Sequence, residues 1–427
     1  MNATASINRD PAADASRGAP RLRWAVRGLC LVAAVAMLGP WTAWPRSAVW
    51  VAALSPWTAV CSLLATRAFH AAATVGLAVG AITLVRRRWL CRWVCPTGLC
   101  ADVAGRCAIR LGRRSRAGPS IGPWLALVTL AGACVGYPLV LWLDPLAMFS
   151  GLFNLYGPAA APAARWSAVG VPAVVLISLL LPGTWCAAIC PLGAMQDLTW
   201  RAGRMLKSSR HTPCAVRRTG EDVSGRHTEC ACYLNAAYAR RTVFAVALGV
   251  GWAAVTRRLR AAVASSLRPP GAIAAWKFSG VCVRCGNCVR ACPTGILGFD
   301  LGGHGVADLL TPVVDFSKDY CREDCTRCMD VCPSGVLRRL SPEGKRHAPI
   351  GLPRVDMNRC ILGEGRDCYV CRNVCPWEAV ALIFCEADDS LTPRIDPQKC
   401  SGCGACQAAC PTEPVKAIVV YENRVEE

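Results

Sequence analysis

The chain has 427 residues, room for two or three domains, and carries 48 Lys and Arg against 28 Asp and Glu with 29 cysteines. From Gly271 onward there are 18 basic and 20 acidic side chains, which leaves 30 basic and 8 acidic in the first 270 residues. Those basic residues fall in loops between apolar blocks rather than along one face, which argues against nucleic-acid binding, and the cysteine spacing argues against a disulfide-rich scaffold.

Residues 1–23 are polar, lack a cleavable signal of the usual kind and are expected to form a flexible tail. Residues 24–205 predict an α-helical membrane domain with four main spans: Trp24–Trp44, His70–Val85, Ile121–Leu143 and Trp166–Pro182. The stretch Ala48–Ala65, interrupted by Pro56, is expected to be re-entrant or interfacial. Arginines before the first span, after the second and after the fourth predict an inside–out–inside–out–inside path.

Two loops within this half repeat each other. "RRRWLCRWVCPTGLC" and "LPGTWCAAICPLGAM" share C-x3-C-P-x-G, which aligns Cys91 with Cys186 and Cys95 with Cys190. Buried thiols in a tight turn are one reading of the motif. Four thiols converging on a cluster or metal, or cycling as a redox disulfide, are the others. Of five histidines only His70 lies near a predicted span, so no pair of axial haem ligands is present, and no C-x-x-C-H occurs.

Residues 206–238 read as a cytoplasmic linker; His211, Cys214, His227, Cys230 and Cys232 lie in it at spacings that fit no ferredoxin run. Residues 239–270 resemble a twin-arginine signal or anchor, with Arg240 and Arg241 ahead of the apolar run Thr242–Val255. The competing reading is a surface or fifth helix.

From residue 271 to 427 the cysteines form four groups of four. They are Cys282, Cys285, Cys288 and Cys292; Cys321, Cys325, Cys328 and Cys332; Cys360, Cys368, Cys371 and Cys375; and Cys400, Cys403, Cys406 and Cys410. Each group ends in C-x2-C-x3-C-P. Three thiolates on one loop suit three corners of a [4Fe–4S] cubane, while the fourth serves a neighbouring cluster. Zinc knuckles do not require this proline or this run. An α+β polyferredoxin domain with four [4Fe–4S] clusters is therefore expected. No nucleotide fingerprint, nucleophile elbow or paired carboxylates accompany it, so its expected role is to carry electrons.

On these motifs the first two hundred residues resemble the NapH/MauN family of membrane ferredoxin-type proteins. The stretch from about Arg240 resembles the NapG/MauM polyferredoxins. The resemblance implies a fused, multi-pass protein of the cytoplasmic membrane with its ferredoxin domain in the periplasm. It would take electrons from the quinone pool, with quinol as donor, and pass them to a periplasmic reductase or cytochrome. It also implies that motifs one and four share two clusters and motifs two and three the others, with Cys410 completing the Cys282 group and Cys375 the Cys321 group. A metal-handling or oxidase-assembly ferredoxin facing the cytoplasm is the alternative.

Overall fold

The computed structural model describes residues 20–40, 45–114, 120–156, 162–208, 228–261, 266–385 and 390–422. Residues 1–19 of the expected tail, His211, Cys214 and His227 lie outside them, residues 20–23 open a helix instead, and the side chains of Cys230, Cys232, Arg240 and Arg241 are likewise not described.

Four helices of the first half open on one local signature, a short polar or thiol side chain followed by proline. Proline suits the first helical position because its missing N–H has no partner to lose there, and the preceding side chain caps the free amides. The chain runs α1 (Pro20–Leu38), α2 (Ala48–Ala53), α3 (Pro56–Thr66), α4 (Ala71–Val85), α5 (Trp89–Trp93) and α6 (Pro96–Arg110). It continues through α7 (Gly122–Val135), α8 (Pro145–Leu152), α9 (Pro162–Ser167), α10 (Gly170–Leu180), α11 (Pro191–Ser208) and α12 (Thr228–Ala261). Ser55 caps α3, Cys95 caps α6 and Asp144 caps α8, each accepting from backbone amides one turn in. Cys190 stands before Pro191 of α11, and its sulfur accepts from the Gly193 amide at 3.5 Å.

The expected membrane spans are not formed. Among the described residues no helix is long and apolar enough to cross a membrane. The second and third expected spans become α4 with 15 residues and α7 with 14; the fourth becomes α10 with 11. At about 1.5 Å per residue α4 reaches roughly 22 Å, short of the roughly 30 Å of a hydrocarbon core. Local breaks set these lengths: α7 stops at Gly136, in the left-handed region at φ +95°, and α4 ends where Arg86 turns extended. The first span becomes α1, whose Arg27 is buried in an ion pair with Asp102 at 2.6 Å. The four-span fold and the multi-pass location are corrected accordingly. Arg240 and Arg241 lie inside the continuous helix α12, whose Ala245 and Ala253 are fully buried and whose Gly249 lies against the Val128 carbonyl on α7.

The two C-x3-C-P loops occupy equivalent places. α4 leads through α5 to Cys95–Pro96 and α6, while α10 leads through a π-helical turn (Trp185–Ile189) to Cys190–Pro191 and α11. The units exchange partners, since α6 packs on α10 and α11 on α4. Gly203 lies against the Leu84 carbonyl, and Thr83 meets Thr199 at 3.0 Å.

The cysteine-rich half contains α13 (Ala275–Val281), α14 (Asn287–Ala291), α15 (Arg327–Asp330), α16 (Pro342–Arg346), α17 (Val370–Asn373) and α18 (Ala405–Ala409). Its strands are β1 (Leu297–Phe299), β2 (Pro312–Val314), β3 (Leu352–Val355), β4 (Val380–Cys385), β5 (Ser390–Ile395) and β6 (Ile418–Tyr421). They pair antiparallel as β1–β2, β3–β6 and β4–β5, with Gly298 opposite Val313 and Pro353 opposite Val420. Two-stranded sheets of this size have little independent stability. One core runs through both halves, from Trp57, Leu90 and Leu146 to Phe278, Phe316 and Leu337.

Candidate iron–sulfur centres

The sixteen motif cysteines are free thiols, and the structure gathers them into four cages. The cavity lined by Cys282, Cys285 and Cys288 takes its fourth sulfur from Cys332. That lined by Cys321, Cys325 and Cys328 takes Cys292. Cys360, Cys368 and Cys371 meet Cys410. Cys400, Cys403 and Cys406 lie in the electrostatic field of Cys375. Numbered by the motif that gives three thiols, these are cages 1 to 4.

The crossing follows the chain, motif one with two and motif three with four. The expected crossing of one with four and two with three is corrected. Its physical reason lies in the sheets. The β1–β2 hairpin joins motifs one and two, while β4–β5 joins motif three to motif four.

Backbone geometry makes room for the cages. Gly286, Gly402 and Gly404 sit at φ +72°, +65° and +81°, in the left-handed region that glycine enters without cost. A Cβ on Gly286 would strike the Asn154 amide, on Gly402 the Gly351 backbone and on Gly404 the Phe316 ring. Each turn therefore ties its cage to a neighbouring element.

Burial pushes the Cys282 and Cys321 thiols up to about 11 and Cys285 up to about 12. Thiols so placed stay protonated unless a positive metal group draws them into ligation, as structural metal sites do. Cys410 differs. Burial works to raise it, but the Thr412 hydroxyl and the amides of Thr412, Ala417 and Ile418 outweigh burial and lower it. The Thr412 oxygen is 3.2 Å from the Cys410 sulfur. Thr294 and Ser334 stand the same way at 3.5 and 3.8 Å from Cys292 and Cys332. In motif three the position is Trp377, and the Ala379 amide reaches Cys375 instead, at 3.3 Å. The sequence reading stopped at the proline; the Thr or Ser two residues after the fourth cysteine was the signal available.

Cage 1 is fastened to the helical half. Asn287 Nδ2 donates to the Ala48 carbonyl at 3.1 Å, and Arg290 Nη1 to the Leu38 carbonyl at 2.9 Å. Asn154, 2% exposed, donates to the Cys285 carbonyl at 3.4 Å. The Arg284 guanidinium lies 5.1 Å from the centre of the Trp142 ring.

Cys91, Cys95, Cys186 and Cys190 are also brought together: burial first, then neighbouring thiols raise Cys95 (Cys91 and Cys186) and Cys190 (Cys91, Cys186 and Cys95). Gln196 Nε2 donates to the Cys91 sulfur at 3.0 Å, and the Gly98 amide to Cys95 at 3.3 Å. Arg88 crosses between the loops: its Nη1 donates to the Cys186 carbonyl at 3.1 Å and its Nη2 to Asp197 at 2.6 Å. Sequence reasoning missed Arg88, Gln196 and Asp197. Among the described residues no three His, Cys, Asp or Glu side chains are grouped as a single metal ion requires. His70 is not part of this group; it stands just before α4 and packs against Gly335 beside cage 1.

A 4Fe-4S dicluster domain model matches residues 281–336, the two motifs that the structure crosses with each other. A 4Fe-4S binding domain matches residues 393–416, and another matches 68–116 and 164–210, over the two C-x3-C-P loops. The methylamine utilization ferredoxin-type protein MauM of Methylobacillus flagellatus is 36% identical over 178 residues, 40% of this chain and 75% of that protein. The chain belongs to the family of ferredoxin-type proteins that includes MauM and NapG. NapG of Escherichia coli is 36% identical over 157 residues, 34% of this chain and 67% of its own length. The ferredoxin-type protein NapF of the same organism is 30% identical over 170 residues, 40% of this chain and 94% of its own length. No solved structure matches the chain. Like its family, this is an iron–sulfur electron-transfer protein. The likeness of the first two hundred residues to NapH/MauN is not supported; the match there is the 4Fe-4S binding domain over the two loops.

Proposed function

We propose that the chain relays single electrons between two redox partners through four [4Fe–4S] clusters, one in each cage. The observation that carries this is the crossing, in which each motif gives three thiols to one cage and its fourth to the next. Because the two motifs of each pair exchange their fourth thiols, the two cages of a pair share their ligand loops. A cubane cluster, when bound, supplies reversible one-electron redox. The chain's own residues do the rest. Sixteen cysteines ligate, glycine turns admit the backbone, and hydroxyl and amide donors at the fourth sulfurs set the charge that each cage tolerates.

Residues 271–427 form the relay unit in this reading. Cys91, Cys95, Cys186 and Cys190 would hold a further centre in the 24–205 unit, supported by the two family matches over their loops and by the donors from Gln196 and Gly98. A quinol donor and a reductase or cytochrome acceptor form the finer reading, which rests on the sequence resemblance. Quinol gives up two electrons and two protons, so its electrons would enter one at a time. Anaerobic mixing of the oxidised protein with a reduced quinol, followed by visible absorbance, tests the donor. Bleaching supports quinol. Bleaching by dithionite alone removes quinol from the proposal and leaves the relay.

A further inference from the structure

The cages do not follow one another in the order of their motifs. Cages 1 and 2 are neighbours: they exchange Cys332 and Cys292, and α14 of motif one packs on α15 of motif two. Cage 2 is tied to cage 4, since the Cys321 amide donates to the Cys403 carbonyl at 2.9 Å and Ile350 donates to the Ser401 carbonyl at 3.1 Å. Phe316, fully buried just ahead of motif two, lies on Gly404 of motif four. Cys406 of cage 4 in turn packs in one cluster with Cys410, Cys360 and Cys371 of cage 3. Among the described residues no backbone hydrogen bond joins the cage 3 cysteines to cages 1 or 2.

Resting on the relay reading, we propose that electrons run through cages 1, 2, 4 and 3 in that order, and that they leave the protein at cage 3. Exposure follows this line. Cys282 and Cys285 are 7% exposed and capped by the helical half, whereas Cys360, Cys368 and Cys371 are only half-buried. Tyr369, the residue after Cys368 of cage 3, stands exposed. Hydrogen bonding has the same direction. Cys410 receives the Thr412 hydroxyl at the shortest of the three hydroxyl–sulfur distances, and donors at sulfur stabilise the more negative, reduced state. Each step oxidises one reduced cluster by one electron and reduces its neighbour by one. The first is refilled by the donor, and the last discharges into a redox protein carrying a one-electron centre, a haem or a cluster.

The test uses the intact chain, purified without oxygen and reduced with dithionite. Its cluster signals are recorded by electron paramagnetic resonance with and without a water-soluble dysprosium chelate, which relaxes the spins nearest the surface. Thr412→Val, Ser334→Ala and Thr294→Val are then titrated to label cages 3, 1 and 2 by the shift in midpoint that each causes. The expected result is that the signal relaxed most by the chelate is the one moved by Thr412→Val. Strongest relaxation of a signal that Thr412→Val leaves in place overturns the order. Iron for fewer than four clusters in the unsubstituted chain overturns the relay reading itself, so the two failures are distinct.

Discussion

At the scale of single residues, the proposed relay expects the hydroxyls beside the fourth cysteines to act on potential and not on assembly. Removing the Thr412 hydroxyl deletes one hydrogen bond to the Cys410 sulfur, worth about 1 kcal/mol, which for a one-electron couple is roughly 40 mV. Thr412→Val is expected to lower the midpoint of one cluster by that order while iron content stays unchanged, read by potentiometric titration. Asp197 is a second residue with a measurable signature. Burial opposes its charge, but Arg87 and Arg88 outweigh burial and hold its carboxyl below the usual range. A lowered folded value means stability that is full above about pH 4 and is lost as pH falls through the folded value. Asp197→Asn should cost about 2 kcal/mol near neutrality, and the gap from the parent should narrow below pH 4, measured by urea denaturation at each pH. The residue types were legible in the sequence, because the cysteine runs are dense and regular. Their crossing was not, since spacing along a loop says nothing of which hairpin closes on which.

At the scale of elements, glycine turns and proline-led helices decide where the cages form. Gly402 at φ +65° has no room for a methyl group beside the Gly351 backbone, which also joins the β3–β6 end to motif four. Gly402→Ala is expected to lose about a quarter of the bound iron, the share of one cage in four, read by iron assay after gel filtration. The repeat of Cys91–Cys95 in Cys186–Cys190 was visible as C-x3-C-P-x-G, and the structure shows both as helix starts. Helix lengths were misread. Apolar blocks signalled spans, but chain reversals at Arg86 and Gly136 cut them to 15 and 14 residues.

For the whole molecule, the described residues of the cysteine-rich half form three two-stranded sheets and short helices, too little regular structure to hold itself without bound groups. Stripping iron with a chelator under reducing conditions is expected to expose residues 271–422 to protease before the helical half is cut. Survival of that half as a protected fragment would show that its fold does not depend on the clusters. The iron–sulfur chemistry of the molecule was readable from its motifs, whereas the lengths of its apolar helices were not. Basic loops and apolar blocks satisfy the positive-inside pattern, while among the described residues no helix of spanning length is formed. The measurement that bears most directly on the four cages is iron and acid-labile sulfide per chain on anaerobically purified protein, with Mössbauer spectra to show cluster type. At least about sixteen irons, all in [4Fe–4S] form, are expected. Zinc in their place, or cluster iron that stays near eight after reconstitution, would contradict the four-cage relay.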